Sequence, residues 1–381
     1  MYRKFGLVTT TLIAMAAVLI AVSGSSAASQ RRAASASAVK AGITRAKQVV
    51  KRYEQAPKAI QLPSLTKRPP KGKTIVFIGC ALPECQLPSI KQAAKLLGWH
   101  VRTIIATTTP EGLNSAWESA AALKPAGIIA FQTIPWAALS RGESAIARAH
   151  IPLVTIAGDH KPGGNLIASE ASAAAVGRRH GAISLLADWI TVDSKGTGNS
   201  VFVDTPGNDA FALILKDFRA ETAENCPNCH VSTLQVSLLD IGEKLDSAVV
   251  SYLQSNPSVD YVVAPLGAET IGLSGALSTA GLSSRVKIVS RAAGPANQVA
   301  VADGQESATI GEEVDEVGWR SMDALARHFV GDSLSPCCTQ PISAMQLLTS
   351  ANIKSLGNPN KQWVSTTGLS QRFARWWKVK S

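Results

Sequence analysis

Six cysteines in three close pairs are the most chemically distinctive residues of this 381-residue chain. Two thiols a few positions apart are typical of a redox couple, half of a metal site or a disulfide, and an even count suits a disulfide framework. The pairs are Cys80 with Cys85, Cys226 with Cys229, and Cys337 with Cys338. The chemistry of these thiols depends on the compartment of the protein and on the elements that carry them.

The N-terminal residues have the pattern of an export signal. Arg3 and Lys4 precede an apolar run over residues 7–22, and small residues follow, with cleavage predicted near Ala28. The alternative is an uncleaved anchor, for which the run is slightly short. We therefore predict a periplasmic or extracytoplasmic protein, a compartment in which paired cysteines form disulfides.

The first pair, Cys80 and Cys85, directly follows the apolar segment of residues 73–79. Glu84 beside the pair disfavours a thiolate, so we predict a disulfide that closes a loop at a strand end rather than a redox couple. For Cys337 and Cys338, a bridge between the two neighbours and bridges to other cysteines both remain open.

The segment from Cys226 to His230 matches the Cys-x-x-Cys-His pattern of c-type haem attachment. His230 opens a predicted strand, however, whereas a haem ligand must be free to turn towards iron. We predict a local disulfide between Cys226 and Cys229, with haem as the alternative. A zinc site shared by two pairs would require distant loops to converge. The expected metal and cofactor content is therefore none.

Motifs for catalysis are weak throughout the chain. The Gly-Thr-Gly of residues 196–198 lacks the strand–turn–helix context of a dinucleotide loop, and no phosphate-binding loop ends in Gly-Lys-Ser/Thr. The six histidines are scattered and none has a second histidine four positions away. We predict no catalytic residues and a protein that is not an enzyme.

The net charge of +11 is concentrated near the N-terminus. Residues 29–73 hold twelve Lys and Arg against one acid, whereas residues from 74 onwards hold 24 basic and 26 acidic side chains. A nucleic-acid-binding body is therefore not expected. The basic segment is interpreted as a solvated leader, with contact to anionic lipid or envelope polyanions as the alternative.

The leader, residues 29–72, contains three parts. Residues 29–38 are of low complexity and predicted to be disordered. Ile43, Ala46, either Val49 or Val50, and Tyr53 recur at helical spacing and predict one short amphipathic helix. A Pro-rich linker follows over residues 62–73.

From Thr74 onwards, short apolar runs alternate with helical stretches. Such continuous runs are typical of strands buried on both faces of a parallel sheet. The predicted strands cover residues 74–79, 100–106, 127–131, 152–157, 200–205, 230–236, 261–265, 287–290 and 307–311. This pattern predicts an α/β protein with two doubly wound parallel-sheet lobes.

Three segments, residues 149–159, 255–290 and 301–325, occur in an order that resembles the ribose-type periplasmic binding proteins, the type I solute-binding family of ABC sugar importers. The resemblance implies two lobes joined by a three-stranded hinge, with ligand trapped between them. The implied domains are a signal of residues 1–28, the leader of residues 29–72, an N-terminal lobe and a C-terminal lobe. The two lobes would cover residues 73–168 with 312–343, and residues 169–311 with 344–381.

In open α/β sheets, ligands bind beyond the carboxyl ends of the strands. This rule selects the loops that follow each predicted strand. Trp136 and Phe211 are expected as apolar platforms, and Asp159, Arg291 and Glu312 are among the expected polar anchors. The full set of candidate ligand-binding residues is Leu82, Glu84, Gln132, Trp136, Asp159, Asn208, Asp209, Phe211, Leu266, Arg291 and Glu312.

The chain departs from the sugar-binding pattern that the resemblance implies. An Asn-Asp pair is replaced by Leu266 and Gly267, and an Asp-Arg pair by Ala157 and Gly158. A Gln is replaced by Glu312, an Arg by Ala212, and an Asp by the segment of residues 290–292. An unpaired buried hydroxyl costs about 1–3 kcal/mol. We therefore predict a ligand other than a simple aldose, with an aromatic, a modified sugar or an organic acid as candidates.

The predicted function is an extracytoplasmic solute-binding protein that traps a small molecule by hinge closure and delivers it to an ABC permease in the membrane. We expect a monomer without a nucleic-acid partner. The alternatives are a ligand-binding sensor for a membrane receptor kinase and an exported c-type haem or redox protein.

Overall fold

The computed structural model describes residues 35–80, 88–132, 134–158, 160–170, 181–207, 209–334, 344–365 and 368–380. Residues 34–381 form one compact unit. Several predicted features lie outside the described residues: the signal of residues 1–28, Leu82, Glu84, Cys85, Asp159, Asn208, Cys337 and Cys338.

The first lobe is built on a five-stranded parallel sheet in the order β2-β1-β3-β4-β5. Its strands are β1 (Thr74–Gly79), β2 (His100–Ile105), β3 (Gly127–Phe131), β4 (Leu153–Ile156) and β5 (Leu166–Glu170). All four residues of β4 are buried, which explains its continuous apolar sequence. The prediction missed β5, whose Ser169 and Glu170 interrupt the apolar pattern.

The second lobe is built on a six-stranded sheet in the order β11-β10-β9-β8-β6-β7. Only the edge strand β11 is antiparallel to its neighbour. The strands are β6 (Asn199–Asp204), β7 (His230–Gln235), β8 (Tyr261–Ala264), β9 (Lys287–Ser290), β10 (Ala308–Glu312) and β11 (Met345–Thr349). The predicted fold class, two α/β lobes with parallel sheets, is confirmed.

Helices cover both faces of each sheet. In the first lobe these are α2 (Pro88–Leu97), α3 (Pro110–Ala122), α4 (Ser140–Arg148), α10 (Val314–Val330) and α11 (Leu369–Trp376). The second lobe has α1 (Ala36–Tyr53), α5 (Ala182–Asp193), α6 (Asp209–Asn225), α7 (Glu243–Ser255), α8 (Leu273–Thr279) and α9 (Pro295–Ala302). Within the described ranges, no helix combines the length and hydropathy that a membrane span requires.

Three connections in the middle of the chain join the lobes: the segment after β5, the junction of β10 with α10, and the return from α10 to β11. The N-terminal segment adds a further passage, because α1 packs on α5 and α6 whereas Leu62 and Leu65 belong to the first-lobe core. The C-terminal segment passes back, since α11 also packs in that core. Both chain ends therefore tie the lobes together.

Two parts of the predicted domain plan differ from the structure. The basic leader is not simply solvated: residues 36–53 form a helix whose Ala46 and Val50 are buried, and this helix begins within the stretch predicted to be disordered. Ala46 and Val50, which lie at the predicted helical spacing, do face the core. The C-terminal residues were assigned to the second lobe, but Phe373 and Trp377 are fully buried in the first.

A stripe of charged residues on α10 lies beneath these terminal segments. Arg327 Nε donates to Asp323 Oδ2 at 2.6 Å, and both side chains are almost completely buried. Trp377 Nε1 donates to the other oxygen of Asp323 at 2.7 Å, and Arg327 Nη2 donates to the Pro63 carbonyl at 2.7 Å. Because the chain ends satisfy these buried charges, they are integral parts of the first lobe.

Candidate functional site

The carboxyl edge of the second sheet borders the first lobe. Glu312 ends β10 and α10 begins at Val314, so a single residue separates the second sheet from a first-lobe helix. The other parallel strands of that sheet end at the same edge. The first sheet likewise sends the chain towards the second lobe after the carboxyl end of β5. The loops at these two edges form the candidate ligand-binding site.

Aromatic rings form the first-lobe wall of this site. Trp136, in the loop after β3, stacks on His160, in the loop after β4, with ring centroids 4.3 Å apart and planes 3° from parallel. Trp117 from α3 supports Trp136 edge-on, with centroids 5.6 Å apart. Trp136 is half-buried and His160 is exposed, so the pair presents a flat surface suited to a ring-shaped ligand.

Gln132 provides a polar atom on the same wall. Its Nε2 donates a long bond of 3.4 Å to the Ile134 carbonyl, and its Oε1 is buried without a hydrogen-bond partner among the described residues. A Cβ at position 158 would lie 2.2 Å from this oxygen, which explains the glycine there. An unpaired buried acceptor is costly unless a ligand supplies the donor.

Two alanines at strand ends adopt the left-handed backbone conformation. Ala157 follows β4 with φ of 66°, and Ala292 lies in the loop after β9 with φ of 55°. Each costs roughly 1 kcal/mol or more relative to an ordinary backbone conformation. Of the six non-glycine residues with positive φ in the described part of the chain, these two lie on opposite sides of the candidate site.

An ion pair forms the second-lobe wall. Arg291 Nη2 donates to Glu312 Oε2 at 2.9 Å, and the two side chains are 13% and 10% exposed. The other oxygen, Glu312 Oε1, is buried without a partner among the described residues. The ion pair therefore fixes the orientation of the Glu312 carboxylate.

A buried carboxylate supports the loops that carry this ion pair. Glu306, before β10, accepts hydrogen bonds from Asn297 Nδ2 at 3.1 Å, from Thr270 Oγ1 at 3.3 Å and from Ser290 Oγ. Asn297 also donates to the Gly267 carbonyl at 3.0 Å. Through these hydrogen bonds Glu306 links the loop after β8 to the loop after β9.

Burial raises the pKa of Glu306 to about 7, against hydrogen bonds from Ser290, Asn297, Thr270 and Thr309 that lower it. Burial therefore favours the protonated form of Glu306 relative to that of an ordinary glutamate. The hydroxyl groups of Ser290 and Thr309 are hydrogen-bonded to each other at 2.7 Å and can rotate. They can therefore donate to the ionised Glu306 carboxylate or accept from its protonated form.

The C-terminal segment contacts the junction between β10 and α10. Glu313 Oε2 accepts from the Ser365 backbone N–H at 2.7 Å and from its hydroxyl at 2.6 Å. Two residues earlier, a Cβ at Gly311 would lie 2.6 Å from the Trp363 ring. The C-terminal segment is therefore in direct contact with the connection between β10 and α10, next to Glu312.

The predicted site residues divide into those that face the two sheet edges and those that do not. Gln132, Trp136, Arg291 and Glu312 follow strand ends at these edges, as described above. Phe211 is 5% exposed and packs in the second-lobe core, so it is not the open platform that was expected. Leu266 is half-buried against the same core. Asp209 begins α6.

The cysteines in the described residues form disulfides. Cys226 and Cys229 are bonded to each other, with Cα atoms 5.3 Å apart at the end of α6. With its sulfurs joined, this pair has no free thiol for haem attachment, and His230 is the first residue of β7. Cys80 is also disulfide-bonded and is 3% exposed. Across the described ranges, no cluster of three or more His, Cys, Asp or Glu side chains is arranged to hold a metal ion.

Glu306 and His160 lie at the candidate site but are not among the predicted ligand-binding residues. His160 follows a strand end next to the selected Asp159, so the strand-end rule points to it. Glu306 precedes a strand, which places it outside that rule. Only the side-chain network shows its connection to the site.

Two parallel-sheet lobes with polar and aromatic loops at their adjoining carboxyl edges define a two-lobed binding protein. The chain matches the model of the periplasmic binding protein domain over residues 87–333, and it belongs to that family, with the type I arrangement of lobes. No curated protein sequence matches the chain.

Solved structures with the same fold include several proteins of sugar transport. An ABC sugar transporter subunit from Rhodobacter sphaeroides is 20% identical, with a TM-score of 0.63 over 74% of this chain and 99% of that one. An ABC transporter solute-binding protein from Agrobacterium vitis, bound with α-D-tagatopyranose, is 17% identical, with a TM-score of 0.63 over 77% and 100%. A glucose-galactose binding protein from Geobacillus stearothermophilus is 17% identical, with a TM-score of 0.61 over 74% and 99%.

Proposed function

We propose that this protein is an extracytoplasmic solute-binding protein of an ABC importer, which holds a small molecule between its lobes without transforming it. The observation that carries the proposal is the pair of walls at the adjoining sheet edges. The Trp136–His160 stack forms one wall, and the Arg291–Glu312 pair forms the other. The kinship with sugar-transport proteins from Rhodobacter sphaeroides and Agrobacterium vitis supports this role.

The polar atoms of the two walls favour a particular ligand chemistry. Gln132 Oε1 and Glu312 Oε1 are buried acceptors without partners among the described residues, and Arg291 already pairs with Glu312. Among the described residues, these walls therefore supply acceptors and a flat aromatic surface, and their cation Arg291 is already paired. We infer a ring-shaped ligand that carries hydrogen-bond donors or a positive charge. The replacement of expected sugar-binding residues by Ala157 and Leu266 argues against a simple aldose, because its hydroxyls would lose partners.

Closure follows from the distribution of these contacts. A ligand held by Trp136 on one lobe and Glu312 on the other interacts fully only when the lobes are together, so binding favours the closed state by that difference. The closed monomer is the form that a membrane permease would recognise.

A thermal-shift screen of cyclic amines, aromatic bases, modified sugars, aldoses and organic acids tests the proposal. A ligand at one hundred times its dissociation constant stabilises the fold by about 2.7 kcal/mol. We expect cyclic donors to raise Tm, and we expect Trp136→Ala and Glu312→Gln each to weaken binding about 10- to 100-fold.

The matched control is Trp189→Ala, which removes a half-buried tryptophan that packs on Tyr261. It should leave the dissociation constant unchanged. Hits that retain full affinity in both Trp136→Ala and Glu312→Gln would contradict the proposed site, and tight binding of ribose or galactose would contradict the proposed ligand class.

A further inference from the structure

The N-terminal helix α1 is firmly attached to the second lobe. Arg45 Nε donates to Asn225 Oδ1 at 2.9 Å, and Arg45 Nη2 donates to the Glu224 carbonyl at 2.8 Å. At Gly42 a Cβ would lie 2.1 Å from the Asn225 carbonyl oxygen, so only glycine permits this close approach of α1 to α6. One face of α1 is therefore fixed, and the opposite face has a defined orientation on the molecule.

The opposite face of α1 is basic. Lys40, Lys47 and Lys51 are exposed and lie seven and four positions apart, which places them in one row along the helix. No acidic residue occurs between Ala36 and Tyr53. Among the described residues, none of the three lysines has an ion-pair partner.

A pocket of about 520 Å³ runs beside this row of lysines. Ala36, Val39 and Ile43 contribute its apolar lining, and Lys40 and Lys47 contribute two positive charges. An apolar surface bordered by cations matches the boundary of an anionic bilayer, where phosphate groups lie above acyl chains. A soluble polyanion would use the lysines and leave the apolar lining without a partner.

The position of α1 in the chain also favours a bilayer. The apolar run of residues 7–22 ends fourteen residues before α1 begins. Fourteen residues span at most about 50 Å. Before the predicted cleavage near Ala28, a run in contact with a membrane therefore keeps α1 within reach of the same surface.

We propose that the lysine face and pocket of α1 dock the second lobe on an anionic membrane surface. We expect the interaction to be independent of ligand capture, because α1 packs on α5 and α6 and contributes no residue to the two walls described above. It would hold a diffusible binding protein close to the membrane, where its permease resides.

Vesicle flotation tests this docking. The protein from residue 29 onwards, which lacks the apolar run and retains the compact unit of residues 34–381, is mixed with phosphatidylglycerol or phosphatidylcholine vesicles. We expect binding to phosphatidylglycerol only. In the double variant Lys40→Gln and Lys47→Gln, the partition coefficient should fall about 30-fold, as expected for two lysines near an anionic surface.

The matched control is the double variant Lys67→Gln and Lys71→Gln, which removes the same charge from exposed positions of the linker. It should bind like the unmodified protein, and neither pair of substitutions should change Tm because all four side chains are exposed. Equal losses in the two double variants would overturn the docking site in favour of diffuse charge. Absence of binding to phosphatidylglycerol, equal binding to both vesicle types, or release by inorganic phosphate at constant ionic strength would overturn docking on a membrane.

Discussion

Neutralising Glu306 should raise the free energy of unfolding at high pH relative to low pH. Neutralising most carboxylates has the opposite effect. Burial raises its pKa to about 7 from an ordinary value of 4.5. A carboxyl group whose folded-state pKa is raised contributes stability below its unfolded pKa, and this contribution is lost as the pH rises through the folded-state pKa. The folded protein is therefore favoured by this group at pH 4.5 and penalised by it at pH 8.

The size of the effect follows from the shift. One pKa unit corresponds to 1.36 kcal/mol, so the shift of Glu306 changes the free energy of unfolding by roughly 2 to 3 kcal/mol between pH 5 and pH 8. In Glu306→Gln the amide has the same shape and can accept from Asn297 and Thr270 through its oxygen. It carries no titrating group, so this contribution disappears.

Urea unfolding at a series of pH values between 5 and 8 measures the difference. We expect Glu306→Gln to gain 2 to 3 kcal/mol relative to the unmodified protein across this range. Asp303→Asn, which neutralises an exposed carboxylate three residues away, is the control and should show no such trend.

The outcome that would refute this reasoning is a constant difference between Glu306→Gln and the unmodified protein at all pH values. It would mean that Glu306 remains ionised in the folded state throughout and that its hydrogen-bond donors outweigh its burial. A loss of stability that grows towards pH 8 would have the same meaning.

Two further predictions concern the C-terminal segment and its contact with the hinge. Phe373→Ala should lower the free energy of unfolding by about 3–5 kcal/mol, measured in urea, because the ring is fully buried, whereas Val364→Ala, at a 51% exposed position, should change it by less than about 0.5 kcal/mol. A loss below 1 kcal/mol in Phe373→Ala would show that the segment is not docked in solution. Gly311→Ala should destabilise by about 1–3 kcal/mol and shift tryptophan fluorescence, since the new methyl group meets Trp363, and Gly275→Ala, whose Cβ meets nothing within 4 Å, should not. Equal stability of the two glycine variants would contradict the close packing at Gly311.

The strands could be predicted where burial is reflected in composition. The runs that became β3 and β4 are continuous and apolar, because both faces of these strands are covered by helices. The short β5 ends in Ser169 and Glu170 and was missed, since a polar strand end is indistinguishable from a loop in the sequence.

The candidate site could be predicted only in part. The strand-end rule selected Arg291 and Glu312 separately, because it depends on topology alone. Whether they form an ion pair depends on the directions of two side chains that are 21 positions apart in sequence. Periodicity in the sequence does not predict those directions. Phe211 was misplaced for a related reason: an aromatic residue near a strand end packs either into the core or towards the ligand, and the backbone orientation decides which.

Asp323 and Arg327 show the limit of charge patterning. Oppositely charged side chains four residues apart on a helix are typical of a solvent-exposed face. Here they are buried beneath Trp377, whose position in the fold no local pattern near α10 indicates.

The exchange of terminal segments between lobes has a consequence for the order in which the protein matures. The first lobe requires Phe373 from the end of the chain, and the second requires α1 from the beginning. The first-lobe core is therefore incomplete until Phe373 has been synthesised, and the second-lobe core until Leu347 has been synthesised. Folding should therefore be slow, since contacts far apart in sequence lower folding rates.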